Sequence, residues 1–123
     1  MKLSKAEEQL MEIIWKCGTA FLKDIMEHYP EPKPALTTVA TLLKRMQDKS
    51  AIAYRLFGNS RQYYPLVGKD DYFSRYLNEI VKNFFGNSAL QFASFFTSTG
   101  NLSEKELEDL KKIVEQEIKR RKK

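Results

Sequence analysis

One short turn does most to limit what this chain can become. Gly58-Asn59-Ser60 stands between two runs, Ile52 to Phe57 and Gln62 to Val67, rich in β-branched, aromatic and other apolar side chains. Gly and Asn tolerate the backbone angles of a tight turn, so the segment predicts a β-hairpin. Around it the chain reads as helix: only five Gly and four Pro occur in 123 residues, and Ala, Leu, Glu and Lys are plentiful. A mainly α protein with one hairpin follows, with room for one modest domain or two very small ones.

Three helical patterns precede the hairpin. Ser4 and Glu7 form a capping box ahead of Leu10, Ile13, Ile14 and Cys17, which share one helical face. Gly18 and Thr19 stop that helix, and Leu22, Ile25, Met26 and Tyr29 repeat the spacing over a shorter span. Tyr29-Pro-Glu-Pro-Lys-Pro34 cannot continue a helix, because each proline lacks an amide donor and pushes its predecessor into extended geometry. A third helix starts near Thr37, with Val39, Leu42, Leu43 and Met46 as its apolar stripe and Thr38, Thr41, Lys44, Arg45 and Asp48 pointing away. Three helices and then a hairpin make the outline of a winged helix-turn-helix domain over residues 1–68.

A second domain is expected over residues 69–123. Tyr72, Phe73, Tyr76, Leu77, Ile80, Val81, Phe84 and Phe85 coat more of a helix than one small layer can bury. Gly86-Asn87 interrupts it, and Ala89 to Phe96 form a short, almost wholly apolar helix ended by a polar break from Thr97 to Asn101. Ser103 and Glu106 make a second capping box before Leu107, Leu110, Val114 and Ile118, and the chain closes on Lys119-Arg-Arg-Lys-Lys123. Two copies packed together would bury this apolar surface economically. The expected dimerisation residues are Tyr76, Ile80, Phe84, Phe92, Phe96, Leu107, Leu110 and Val114.

The chemistry classes narrow quickly. One cysteine, Cys17, and one histidine, His28, fall short of a Cys/His zinc site and of a disulfide framework, so no metal is expected and a reducing, cytoplasmic setting is. Cys17 falls on a buried stripe, and His28, the only histidine, lies in an apolar-patterned helix as an ordinary helix residue; no phosphate-cradling glycine loop occurs. Catalysis and a cofactor are therefore not expected. The longest charge-free stretch, Asn83 to Ser103, is broken by polar residues, and no membrane insertion is expected.

Charge points to a polyanion. The net charge is +5, and the stretch from Lys33 to Arg61 alone carries Lys33, Lys44, Arg45, Lys49, Arg55 and Arg61 against the single acid Asp48, so the remainder nets to zero. That stretch is the third helix and the hairpin. Thr37, Thr38 and Thr41 can bond base edges or phosphates and touch thymine methyls; Lys44 follows them, and Arg45 suits either guanine or phosphate. Arg55, Arg61 and the tip residue Asn59 are expected to meet backbone phosphates. The expected partner is double-stranded DNA.

These segments resemble the bacterial penicillinase and methicillin-resistance repressors, a family grouped with copper-responsive repressors. Leu3-Ser-Lys-Ala-Glu7 with Met11-Glu-Ile-Ile-Trp15 is similar to the family's opening, Thr38-Val-Ala-Thr-Leu-Leu-Lys-Arg-Met46 to its recognition helix, Gln62-Tyr-Tyr-Pro-Leu66 to its second wing strand and Leu102-Ser-Glu-Lys-Glu-Leu107 to the start of its last helix. The resemblance implies a homodimeric repressor on an inverted-repeat operator, released when a membrane-bound sensor triggers cleavage at an Asn-Phe bond in the dimerisation region. Three departures stand out. Position 40 is Ala where many relatives carry a longer polar or basic residue; position 50 is Ser where Gly is usual; and Ala89 to Phe96 holds no Asn-Phe pair, Asn83-Phe84 lying earlier. The cysteine cluster of the copper-responsive branch is missing, which argues against copper sensing. Two other functions fit the same outline: a regulator sensing a small ligand among Phe84, Phe85, Phe92 and Phe96, and a protein-interaction module that never meets DNA.

Overall fold

A computed structural model describes residues 1–122. Its elements run α1 (Lys5–Cys17), β1 (Ala20–Phe21), α2 (Leu22–His28), α3 (Leu36–Asp48), β2 (Ile52–Phe57), β3 (Ser60–Pro65), α4 (Lys69–Phe84), α5 (Ala89–Thr99) and α6 (Glu104–Arg121). The fold is mainly α, with a winged helix at its amino-terminal end. By internal contacts the chain divides into two compact units, Met1–Tyr76 and Leu77–Lys123, the division falling inside α4.

In the first unit the apolar stripes do what their spacing dictates. Leu10, Met11 and Ile14 of α1, Ile25 of α2, Val39, Leu43 and Met46 of α3 and Ile52 of β2 meet in one core, each almost fully buried. Ser4 caps α1 by accepting from the Glu7 amide at 3.2 Å, while Glu7 Oε1 accepts from the Ser4 amide at 2.7 Å. The hairpin pairs Ile52 with Pro65 through Phe57 with Ser60, leaving Gly58 and Asn59 as a two-residue loop. Gly58 takes the first loop position at φ 61°, the left-handed backbone that a two-residue hairpin turn asks for there. The second strand thus starts at Ser60, two residues before the expected Gln62, because cross-strand pairing extends to the edge of the loop.

The sheet has a third strand that apolar patterning did not signal. Ala20 and Phe21 pair antiparallel with Tyr63 and Gln62, giving the order β1-β3-β2. A two-residue strand is too short for alternation to register, and its pairing partners lie more than 40 positions away. Trp15 Nε1 donates to the Val67 carbonyl at 2.9 Å, and Trp15, Tyr72 and Phe73 cluster with ring centroids 5.1–6.1 Å apart, so the first turns of α4 pack on α1.

The second unit holds the rest of α4, α5 and α6. Gly86 and Asn87 break the path at φ 60° and 59°. Ser88 accepts from the Gln91 amide to start α5, and the Ser103–Glu106 capping box starts α6. α5 corrects an expectation: the polar stretch from Thr97 does not end it. Thr97, Ser98 and Thr99 donate their hydroxyls back to carbonyls of Ala93, Ser94 and Phe95, which keeps the helix going to Thr99, and the Gly100 amide closes it on the Phe96 carbonyl. Among the described residues of this unit none is buried; Phe84, Leu90, Phe95, Ile113, Val114 and Ile118 are each at least half exposed. No described helix is long and apolar enough to cross a membrane.

Candidate nucleic-acid interface

α3 separates its residues cleanly. Val39, Leu42, Leu43 and Met46 are sunk into the core, none more than 7% exposed, and Thr37, Thr38, Thr41, Lys44 and Arg45 are all exposed. At 100° per residue, Thr37, Thr41 and Lys44 lie opposite the buried stripe, Thr38 and Arg45 share one flank, and Leu36 and Ala40 share the other. Leu36, which the pattern of threonines and cations did not single out, is 54% exposed. The Thr41 hydroxyl donates to the Thr37 carbonyl at 3.0 Å, so what Thr41 offers outward is its methyl and oxygen lone pairs.

The carboxyl end of α3 is fastened to α1. Lys49 Nζ lies 2.6 Å from Glu7 Oε1 and 3.1 Å from the Lys2 carbonyl oxygen. Glu7 as a whole is 1% exposed. Burial alone would push its pKa up, but the Lys49 ammonium and the Ser4 amide and hydroxyl outweigh this and hold it below the usual carboxylate range. The helix then ends in a Schellman turn: the Ala51 amide donates to the Met46 carbonyl and the Ser50 amide to the Gln47 carbonyl, with Ser50 at φ 62°.

Side-chain bonding thins the cationic stretch. Lys49 is spent on Glu7; Lys33 Nζ donates to the Met26 carbonyl at 2.7 Å; Lys44 pairs with Asp48 at 3.0 Å across an exposed helix turn. The three arginines stay outside such pairs among the described residues. Arg55 stacks on the Tyr64 ring at 5.0 Å and Arg61 on the Tyr54 ring at 4.4 Å. Register places these stacks on opposite faces of the ribbon. Arg61 shares a face with Tyr54 and Tyr63, and Arg55 shares the other with Tyr64 and Gln62. Asn59 sits at the tip, beside Ser60, Arg61 and Tyr63 on the rim of a recess of about 360 Å³ that reaches Phe21, Leu22 and Lys23.

The remaining candidates fall elsewhere. Tyr76 belongs to the first unit, where Lys2 Nζ lies 5.2 Å from its ring centroid. Ile80, Phe92 and Leu110 are half-buried and Phe84, Phe96, Leu107 and Val114 exposed, all in the second unit. Phe85, Phe92, Phe95 and Phe96 pack ring on ring at 5.3–6.0 Å, as neighbouring aromatics of a helix pair do. Cys17 is half-buried rather than sealed in the core, since it ends α1, and its Sγ lies 3.9 Å from His28. Burial, and then the Asp24 carboxylate, push the thiol above its ordinary range, so it stays protonated near neutrality.

Comparison with known proteins converges on one group. The DNA-binding domain of the repressor BlaI matches 58% of this chain and 88% of its own, at a TM-score of 0.52 and 25% identity. The methicillin resistance regulatory protein MecI of Staphylococcus aureus strain N315 is 29% identical over 118 residues, 92% of this chain and 93% of that protein. The penicillinase repressor of Bacillus licheniformis is 23% identical over 122 residues, 98% of this chain and 95% of that protein. A family model described as Penicillinase repressor covers residues 3–116, and the chain belongs to that family of transcriptional repressors.

Proposed function

We propose that the chain is a homodimeric repressor that grips an inverted-repeat operator in double-stranded DNA with α3 and the β2–β3 wing. The observation that carries this reading is the exposed row Thr37, Thr38, Thr41, Lys44 and Arg45 on a helix whose other face is fully committed to the core. α3 enters the major groove and the arginines of the wing neutralise adjacent phosphates. Residues 1–68 form the DNA-binding domain and residues 69–123 the dimerisation domain, in which Ile80, Phe84, Phe92, Phe96, Leu107, Leu110 and Val114 meet a second copy. The apolar side chains left uncovered in the second unit support that part, since patches of this kind on a single chain mark association surfaces.

The test is a gel-shift titration on DNA from upstream of the chain's own gene over a range of salt. Wild-type binding weakens steeply with salt. Arg45→Ala and Arg61→Ala each lower affinity, and, since each removes one contact from both protomers, each flattens the log–log salt slope of the dimer by about 1.8 if the lost contact is to a phosphate. Binding left untouched by both substitutions removes this face from consideration.

A further inference from the structure

The chemistry of α3 carries the reading above one step further, and the step rests on that reading. In the major groove each base offers its own handles: guanine suits Arg or Lys, adenine suits Asn or Gln, cytosine suits Asp or Glu, and thymine alone adds a methyl group. From Leu36 to Arg45 the exposed residues of α3 are Leu36, Thr37, Thr38, Ala40, Thr41, Lys44 and Arg45. None is an amide or an acid. Gln47 comes a turn later and is half-buried, and Asp48 is held by Lys44. The first two turns therefore hold neither the amide that pairs adenine bidentately nor the acid that accepts from cytosine, only threonine hydroxyls that suit any base, and they are rich in methyl groups.

Leu36 is the telling member. Every large aliphatic side chain of the α3 stripe is at most 7% exposed, yet Leu36 leaves more than half its surface to solvent. Ala40 lies beside it one turn on, next to Thr37 and to Thr41, whose hydroxyl proton is already spent on the Thr37 carbonyl. Arg45 on the opposite flank of this helix and Arg55 and Arg61 on the wing carry exposed charge that draws a polyanion to the domain.

We infer that Leu36 and Ala40, with the methyl groups of Thr37 and Thr41, form a surface that selects thymine in each operator half-site through its C5-methyl group. The cations further along, Lys44 and Arg45, are left to guanine or to phosphate.

Deoxyuridine differs from thymidine by that methyl alone, which makes the inference testable. The full chain is used to select from a pool of duplexes randomised over about 21 base pairs, two major-groove turns. Thymines of the enriched sequence are then exchanged singly for deoxyuridine. The expected result is at least one thymine per half-site whose exchange weakens binding about fourfold, the value of one buried methyl. In Leu36→Ala that penalty shrinks while thermal melting barely moves, because the side chain is exposed. A second variant, Ala40→Asn, shifts the enriched base facing it towards adenine. Enriched half-sites without thymine, or thymines whose exchange costs wild type nothing, overturn the inference and leave DNA reading intact. So does a deoxyuridine penalty that Leu36→Ala leaves unchanged. Absence of any enrichment overturns the repressor reading and this inference with it.

Discussion

Single residues carry two of the clearest consequences. Ser50 holds a left-handed backbone at φ 62° in the Schellman turn that ends α3, a conformation costing an L-residue about 1 kcal/mol and glycine almost nothing. Ser50→Gly is expected to raise unfolding free energy by about that amount in a urea titration. The departure from the family's usual glycine was visible in the sequence, but its cost was not, since a φ angle has no signature in residue type. Glu7 repeats the lesson. Its capping role was legible from the Ser4–Glu7 spacing, whereas its pairing with Lys49, 42 positions away, was not. Removing Lys49 leaves a buried carboxylate without its cation, and Lys49→Ala is expected to cost about 2 kcal/mol. Because the Glu7 pKa is lowered in the folded chain, its contribution is complete above about 4.5 and fades as pH falls through the folded value. Stability measured from pH 6 down to pH 3 should therefore drop less in Glu7→Gln than in wild type.

At the scale of elements, periodicity told most of the story in the first unit. α1, α2, α3 and the hairpin stand where apolar spacing and the Gly58 turn put them, because each buries one stripe in a single core. Strand β1 escaped notice for want of length, and α5 ran past its polar end because hydroxyls satisfied the backbone from within. The charge count was the weaker guide to the candidate site. It summed six cations, and bonding leaves the arginines as the ones outside local pairs. Rings hold two of these in place, which reduces what their ordering costs on binding. Tyr54→Leu keeps an apolar residue against the core but frees Arg61. The expected outcome in a binding titration is a loss of affinity smaller than that of Arg61→Ala, with the salt slope retained.

For the whole molecule, the second unit is the part least able to stand by itself. Its helices and both turns were legible, since Gly86-Asn87 and the Ser103–Glu106 box are local signals. What covers its apolar side chains is not a local matter, and the surplus of apolar positions was the only trace of it. Val114 is 56% exposed, so Val114→Glu costs the single chain little. In the proposed dimer it buries a charge, and sedimentation should show monomers at concentrations where wild type is paired, with operator affinity falling alongside.

The two faces of the β2–β3 ribbon, finally, each carry one guanidinium held over a tyrosine ring. A polyanion brought against either side of the ribbon therefore meets one exposed cation, and the loss of either arginine leaves the charge of the opposite side in place.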